Sequence, residues 1–231
     1  MRLRLIEWLF PPRCPLCRRF LDRGPVGLCD TCRKELDFLH DPYTKLRPPL
    51  VEGVISVLPY EGVVRRGMHR YKYRGGVAAG PVFARLLAGR VRQSGLGARV
   101  QAVCWVPCHR SVLRRRGYDQ AEELARPLAA ELGLPVAALL KKVRRTAPMN
   151  RLNAAARRAN VLGAFEAACP PGSLQGASIL LVDDIVTTGS TLSECARVLR
   201  GAGAAHVYGA TFAKTPRGRK ARPARAFRPV S

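Results

Sequence analysis

The run Ser178-Ile-Leu-Leu-Val182 carries no polar residue after Ser178, and Asp183-Asp184 follows it at once. A strand with one wet face alternates apolar with polar residues. A run without alternation describes a strand buried on both faces, as in a parallel sheet covered by helices on either side. The surrounding text fits that frame. Leu192 to Leu199 reads as the helix that follows, and Val51 to Tyr60 and Val100 to Val106 have strand character. Val63 to Tyr73, Val77 to Gln93 and Asp119 to Leu132 read as helices, the last with Ala121, Leu124, Ala125 and Leu128 on one face. Short strands are expected at Pro135 to Leu140 and Gly163 to Glu166, and His206 to Phe212 closes the series. The fold class expected is α/β, a mostly parallel central sheet with helices on both sides.

The 231 residues can bury one core of ~150 residues and leave room for a small appendage. That appendage stands at the N-terminus. Cys14-Pro-Leu-Cys17 and Cys29-Asp-Thr-Cys32 are two Cys-x-x-Cys knuckles separated by eleven residues. Four thiolates so spaced match tetrahedral Zn²⁺ in a closed structural site, a zinc-ribbon-like module, and so few apolar groups could hardly fold there without a metal. Rubredoxin-like iron shares the spacing and stays open. Asp41-Pro42 and Arg47-Pro48-Pro49 read as a linker. The organisation expected is a Cys₄ zinc-binding module over 1–40, the α/β domain over 41–213, and a basic tail over 214–231 whose lack of apolar periodicity predicts disorder.

The apolar run at the N-terminus is about six residues long, broken by Glu7, and is shorter than the core of a secretory signal. No stretch reaches the ~18 apolar residues that span a bilayer. The chain is therefore expected to be cytoplasmic, with reduced thiols, so Cys104, Cys108, Cys169 and Cys195 read as core or incidental residues. The formal charge is +24, from 40 Lys and Arg against 16 Asp and Glu. The tail contributes seven cations, but 25 cations against 11 anions belong to residues 41–213. An anionic partner is expected for the body itself.

The chemistry is concentrated in Asp183-Asp184-Ile-Val-Thr187-Thr188-Gly189-Ser190-Thr191. Two carboxylates directly after a buried strand should emerge at its carboxyl edge, where open α/β sheets bind ligands. Adjacent anions there repel unless a cation or hydroxyl donors meet them, which suits a ribose diol near Mg²⁺. The small hydroxyl-bearing residues can curl their N–H groups around an oxyanion, and Gly189 permits the close approach. Thr191 with Glu194 makes a capping box, so the loop is expected to end at the N-terminus of the following helix, whose dipole favours a phosphate. A Walker P-loop is absent, and Gly201-Ala-Gly203 lacks the third glycine of a dinucleotide fingerprint and reads as a helix cap.

The run from Val182 to Thr191 resembles the phosphoribosyl-pyrophosphate motif of type I phosphoribosyltransferases. A second likeness covers nearly the whole chain. The cysteine knuckles, Tyr71-Lys-Tyr-Arg-Gly75, Val106-Pro-Cys-His109, Arg115-Arg-Gly-Tyr-Asp-Gln120 and Arg157-Arg-Ala-Asn-Val-Leu-Gly-Ala-Phe165 together resemble the ComF competence family. Asp119 stands where that family more often has Asn, and Met149 where Gln is common. The resemblance implies a type I phosphoribosyltransferase-like fold that binds phosphoribosyl pyrophosphate with Mg²⁺. Asp183 and Asp184 would meet the ribose hydroxyls, and Thr187, Thr188, Gly189, Ser190 and Thr191 the 5′-phosphate. It also implies a link to DNA uptake.

Pyrophosphate needs cations and backbone donors opposite that loop. The turn after the Val100 to Val106 strand, Pro107-Cys108-His109-Arg110, is the natural place, and the resemblance points there too. Lys72 and Arg74 are further candidates. Arg114-Arg-Arg116 is equally a solvated basic face, and His109 is as much a hydrogen-bonding residue as a base. No residue is marked as catalytic, and no acceptor is identified. Besides phosphoribosyl pyrophosphate, single-stranded DNA or DNA-processing proteins are expected partners, and a non-catalytic DNA-associated module is the alternative reading, favoured by the basic body and tail.

Overall fold

The computed structural model describes residues 11–21, 27–36, 38–39, 41, 43–73, 76–147 and 152–216. The N-terminal apolar run, Arg74, Met149 and the tail beyond 216 lie outside the described residues.

Among the described residues the main sheet has four strands: β1 (Val54–Pro59), β2 (Ala102–Trp105), β5 (Ser178–Val186) and β6 (His206–Lys214). Their order is β1-β6-β5-β2, and every neighbouring pair is parallel. The apolar run of β5 sits in the middle, as its lack of alternation requires. Its side chains still divide by pleat. Leu180 and Val182 join the core under α2 (Gly62–Tyr73), α3 (Gly80–Gln93) and α5 (Gln120–Leu132), while Ile179 and Leu181 join a second core under α6 (Ala154–Val161) and α7 (Ser190–Gly201). Helices cover both faces, as the sequence predicts. On the first face Phe83 stacks on Phe212 with ring centroids 4.0 Å apart, and Tyr71 meets Phe83 edge-on.

Several expectations are corrected. β5 does not stop at Val182 but runs to Val186, because β6 continues beside it and pairs Asp183 with Thr211 and Ile185 with Ala213. Pro135 to Leu140 is not a strand of the sheet. Val136 makes one bridge to Val103, and the chain then forms β3 (Leu140–Lys142), which pairs antiparallel with β4 (Phe165–Ala167) in a separate ribbon. The basic turn after β2 contains a helix, α4 (Arg110–Arg116).

The Pro-rich stretch expected as a linker is packed. Tyr43 bridges Ile55 in antiparallel sense, the Thr44 N–H donates to the Val54 carbonyl at 2.7 Å, and Leu46 is buried in the second core. The cysteine module is packed as well. It contributes the short helix α1 (Asp30–Glu35), and Cys14, Leu16, Leu28 and Cys32 are part of the first core.

Candidate functional site

Parallel strands end at one edge, so the register decides which loops meet there. Trp105 lies opposite Val182, and the Val106 N–H donates to the Val182 carbonyl at 2.9 Å. Pro107 through Arg110 therefore leave the sheet beside the acid pair. The segments expected to hold ribose, phosphate and pyrophosphate occupy neighbouring strand ends.

Adjacent strand residues point to opposite faces, and the two carboxylates have different surroundings. Asp184 is buried on the α2 side, with its Oδ2 2.9 Å from Lys72 Nζ and no aligned hydrogen-bond donor on that oxygen. Burial alone would lower the Lys72 ammonium, but the charges of Asp184 and Asp183 hold it above its ordinary value. Asp183 accepts the Asp184 N–H at 2.8 Å, and its charge is felt by Lys142 on β3 and Cys195 on α7. Burial, and then the neighbouring Asp184 charge, push Asp183 well above the ordinary carboxylate range. The Lys72 charge opposes that rise only in part, and Asp183 enters no ion pair among the described residues.

After Val186 the chain turns through Thr187 and Thr188 to Gly189, whose φ of +82° belongs to the left-handed region. A Cβ at Gly189 would stand 2.5 Å from Pro48 Cγ, so packing demands glycine as firmly as the dihedral does. α7 begins at Ser190, two residues before the Thr191 capping box would place it, and Gly189 at the N-cap offers no side chain to the first-turn N–H groups. The box does not form because Glu194 is engaged elsewhere, accepting from the Gly163 N–H at 2.8 Å and pairing with Arg197. Those uncapped N–H groups and the helix dipole face the loop, where Thr188 Oγ1 and Ser190 Oγ lie 2.9 Å apart and Thr191 is half-buried. The loop can receive a phosphate group.

Pro107, Cys108, His109 and Arg110 line one wall of a cleft of about 570 Å³, and Leu140 to Val143 line the other. The acid pair and the Thr187 to Thr191 loop do not line it. His109 caps α4, its Nδ1 accepting from the Ser111 N–H at 3.2 Å, so the proton sits on Nε2. Desolvation and then the cations Arg110, Arg145 and Lys142 hold it below the usual imidazole value. It is a neutral hydrogen-bonding residue. Burial, and then Asp119, push the Cys108 thiol up to about 12, which makes it a poor nucleophile.

The Arg116-Gly-Tyr-Asp-Gln120 segment supports this site, with Asp119 alone of the five among the residues that line the cleft. Tyr118 Oη donates to the Tyr71 carbonyl at 2.9 Å and Gln120 Nε2 to the Lys72 carbonyl at 3.2 Å, satisfying the last open carbonyls of α2. Arg116 donates to Gln120 Oε1 at 2.8 Å and lies over the Tyr73 ring. Asp119, at the position where Asn was noted, uses both oxygens: Oδ1 accepts from the Ala121 N–H at 3.0 Å and Oδ2 from the Cys108 N–H at 2.6 Å. It ties the 107–110 turn to the start of α5. Asn160 ties Ala147 to α6 by a pair of hydrogen bonds.

Sequence reasoning passed over Lys142. It lies in the cleft wall, donates to Thr146 Oγ1 at 2.9 Å, and is lowered by burial although Cys195 and Asp183 oppose that shift. The Leu140-Lys-Lys142 text offers no alternation to reveal it.

At the other end of the chain, the sulfurs of Cys14, Cys17, Cys29 and Cys32 all lie within 4.8 Å of one another. A tetrahedron of Zn–S bonds near 2.3 Å has edges of about 3.8 Å, so the set fits one Zn²⁺. A hydrogen bond from Cys32 holds the Cys14 thiol down at about 4, and the Cys32 thiol is pushed up in return. Deprotonated sulfurs are the form that a metal binds.

A phosphoribosyl transferase domain model matches residues 116–229 and a double zinc ribbon domain model matches residues 5–45. The chain is 33% identical over 214 residues to the DNA utilization protein YhgH of Salmonella typhi, covering 90% of this chain and 91% of that one. It is 28% identical over 210 residues to competence protein F of Haemophilus influenzae, covering 83% and 92%. The chain belongs to the ComF family. Among solved structures, the ComF chain matches glutamine phosphoribosylpyrophosphate amidotransferase from B. subtilis at 22% identity with a TM-score of 0.41, over 62% of its own length and 30% of that enzyme's. The domain match, the parallel sheet and the four-cysteine ribbon give this ComF protein a phosphoribosyltransferase-type fold with an N-terminal zinc ribbon. No helix among its described residues is long and apolar enough to cross a membrane.

Proposed function

We propose that the carboxyl edge of β5 binds phosphoribosyl pyrophosphate with Mg²⁺. The observation that carries this reading is the continuous sequence of two carboxylates, a left-handed glycine loop and an uncapped helix N-terminus on one central strand. Asp183 and Asp184 take the ribose diol, and Thr187 to Thr191 take the 5′-phosphate. Pro107 to Arg110 lie on the neighbouring strand end and take the pyrophosphate, with Lys142 above them on β3. Mg²⁺ fits Asp183, which enters no ion pair among the described residues and whose charge Lys72 offsets only in part, and would supply positive charge to the departing pyrophosphate. Lys72 stands against Asp184 rather than in the pyrophosphate turn, so it orients and neutralises the acid pair.

If an acceptor attacks C1 of the ribose with inversion, the ring gains oxocarbenium character while pyrophosphate leaves. The chain's own contribution is electrostatic: carboxylates hold the ribose and cations hold the leaving group. The reading assigns the protein to the cytoplasm, with residues 1–40, 41–213 and 214–231 as module, domain and tail. The names of two relatives, a DNA utilization protein and a competence protein, support a role for this site in DNA uptake or utilisation. Transfer is tested by incubation with phosphoribosyl pyrophosphate, Mg²⁺ and candidate bases. Release of pyrophosphate that requires an acceptor is expected, and release with none of them leaves a binding protein.

A second reading, contact with single-stranded DNA, has one observation of its own. Arg110, Arg114 and Arg115 are exposed on α4 and enter no ion pair among the described residues. Phosphate-backbone binding through them predicts steep weakening with salt. Binding that ignores salt, or no binding at low salt, contradicts it.

A further inference from the structure

The first cysteine knuckle is built into the helix that serves the acid pair. Leu16, in the turn between Cys14 and Cys17, is fully buried over Gly67 of α2. A Cβ at Gly67 would lie 2.6 Å from Leu16 Cδ2, 3.0 Å from Leu16 Cα and 3.1 Å from the Pro15 carbonyl oxygen, so the approach is close enough to require glycine. One turn further along α2, Arg70 donates to the Pro15 carbonyl at 3.1 Å and to the Leu16 carbonyl at 2.6 Å. Both carbonyls belong to the knuckle turn. Two residues beyond Arg70, Lys72 reaches Asp184.

A second route leaves the same module. Leu39 donates to the Val57 carbonyl and Thr44 to the Val54 carbonyl, so the connecting chain runs along the edge of β1. It delivers Leu46 and Pro48 against Gly189, with Pro48 Cγ 2.5 Å and Leu46 Cδ2 3.4 Å from the place a Cβ would occupy. The module is thus linked to both ends of the cradle, to the acid pair through the knuckle and α2 and to the phosphate loop through residues 43–48.

We infer that the zinc ribbon is a positioning device for the ligand cradle, and that Arg70 is a positioning residue of it. A metal on the four sulfurs fixes the Cys14–Cys17 turn and presents its two carbonyls. Arg70 and Gly67 read that turn and hold the last turn of α2, which sets Lys72 against Asp184. Without the metal the turn keeps the packing of Leu16 but loses the bonds that join it to the Cys29–Cys32 knuckle. The Tyr71 and Lys72 carbonyls of the same turn stay held by Tyr118 and Gln120, so the turn loosens without being lost, and the consequence is a loosened cradle on an intact sheet. Such local opening is a property of weakly anchored segments in an otherwise stable domain.

The test is hydrogen exchange on the full, unliganded chain, in zinc-loaded form, after chelation, and as Arg70→Ala and Arg70→Lys with zinc bound. Chelation is expected to speed exchange about tenfold in Met68 to Tyr73 and in the Gly189 loop, the effect of losing one charge-assisted anchor, while Gln120 to Leu132 stays protected. Arg70→Ala should loosen only Met68 to Tyr73, and Arg70→Lys should restore part of the protection. Unchanged exchange after chelation, or equal loss across the whole chain, overturns the proposal, as does an Arg70→Ala chain that keeps its zinc and its protection. A calorimetric arm rests on the reading of the cradle as a phosphoribosyl pyrophosphate site: zinc-loaded Arg70→Ala should bind that ligand with Mg²⁺ about tenfold more weakly. No heat from the natural protein defeats that reading and leaves the exchange experiment to decide the relay.

Discussion

Lys72 Nζ lies 2.9 Å from Asp184 Oδ2, and the carboxylate it meets is only 6% exposed. Removing the ammonium leaves a buried charge with no cation within ion-pair distance among the described residues, and breaking such a pair from one side costs more than the pair itself is worth. Lys72→Met is expected to destabilise the fold by about 2–3 kcal/mol, discounted from a fully buried pair because Lys72 is itself 27% exposed. Lys72→Met with Asp184→Asn should recover most of that loss. Urea denaturation of Lys72→Met, Asp184→Asn and the double variant checks the coupling; additive losses would contradict it.

Gly189 is constrained twice, by φ of +82° and by Pro48. Gly189→Ala should cost about 1–2 kcal/mol for the left-handed residue alone, with more from displacing Pro48. Pro48→Ala removes the Cγ contact but keeps a Cβ 2.9 Å away and leaves the dihedral untouched, so a Gly189→Ala/Pro48→Ala chain should regain only part of the packing share. Thermal unfolding measures both, and a Gly189→Ala chain with natural stability contradicts the account.

The strand, the acid pair and the loop were legible in the sequence because each is local. Absence of alternation marks a strand buried on both faces, and Gly189 among hydroxyl residues marks a turn. The Cys₄ set was legible for the same reason. What was missed depends on contacts far apart in the chain. Asp41-Pro42 and Arg47-Pro48-Pro49 read as a linker because of their prolines, yet Val54 and Gly189 give residues 43–48 their place. α4 has no apolar face to announce it; it forms because His109 caps its start and Gly117, at φ of +80°, ends it. Thr191 and Glu194 have the spacing of a capping box, but Gly163 and Arg197 claim the carboxylate.

The raised Asp183 gives a pH dependence whose sign can be worked out. Its folded value lies above its unfolded value, so the folded chain holds more protons through that window and loses stability as pH rises through it. Binding of Mg²⁺ needs the ionised carboxylate and should strengthen over the same rise. Stability measured by denaturation and Mg²⁺-dependent ligand affinity should therefore move in opposite directions with pH. Asp183→Asn should flatten both curves; parallel movement of the two contradicts the assignment.

The four sulfurs fit a single ion. Metal analysis of the purified chain should find one zinc, released by a thiol-modifying reagent, and Cys32→Ser should lower the occupancy sharply. Two metals per chain, or full occupancy in Cys32→Ser, contradicts a closed four-thiolate site.

The central claim is that the carboxyl edge of β5 is a cradle for phosphoribosyl pyrophosphate. Titration calorimetry of that ligand with Mg²⁺ tests it most directly, with Asp183→Asn/Asp184→Asn as the control. The account predicts saturable heat at one site for the natural chain and its loss in the folded double variant. No measurable heat for the natural chain, or equal heat for both, would contradict it.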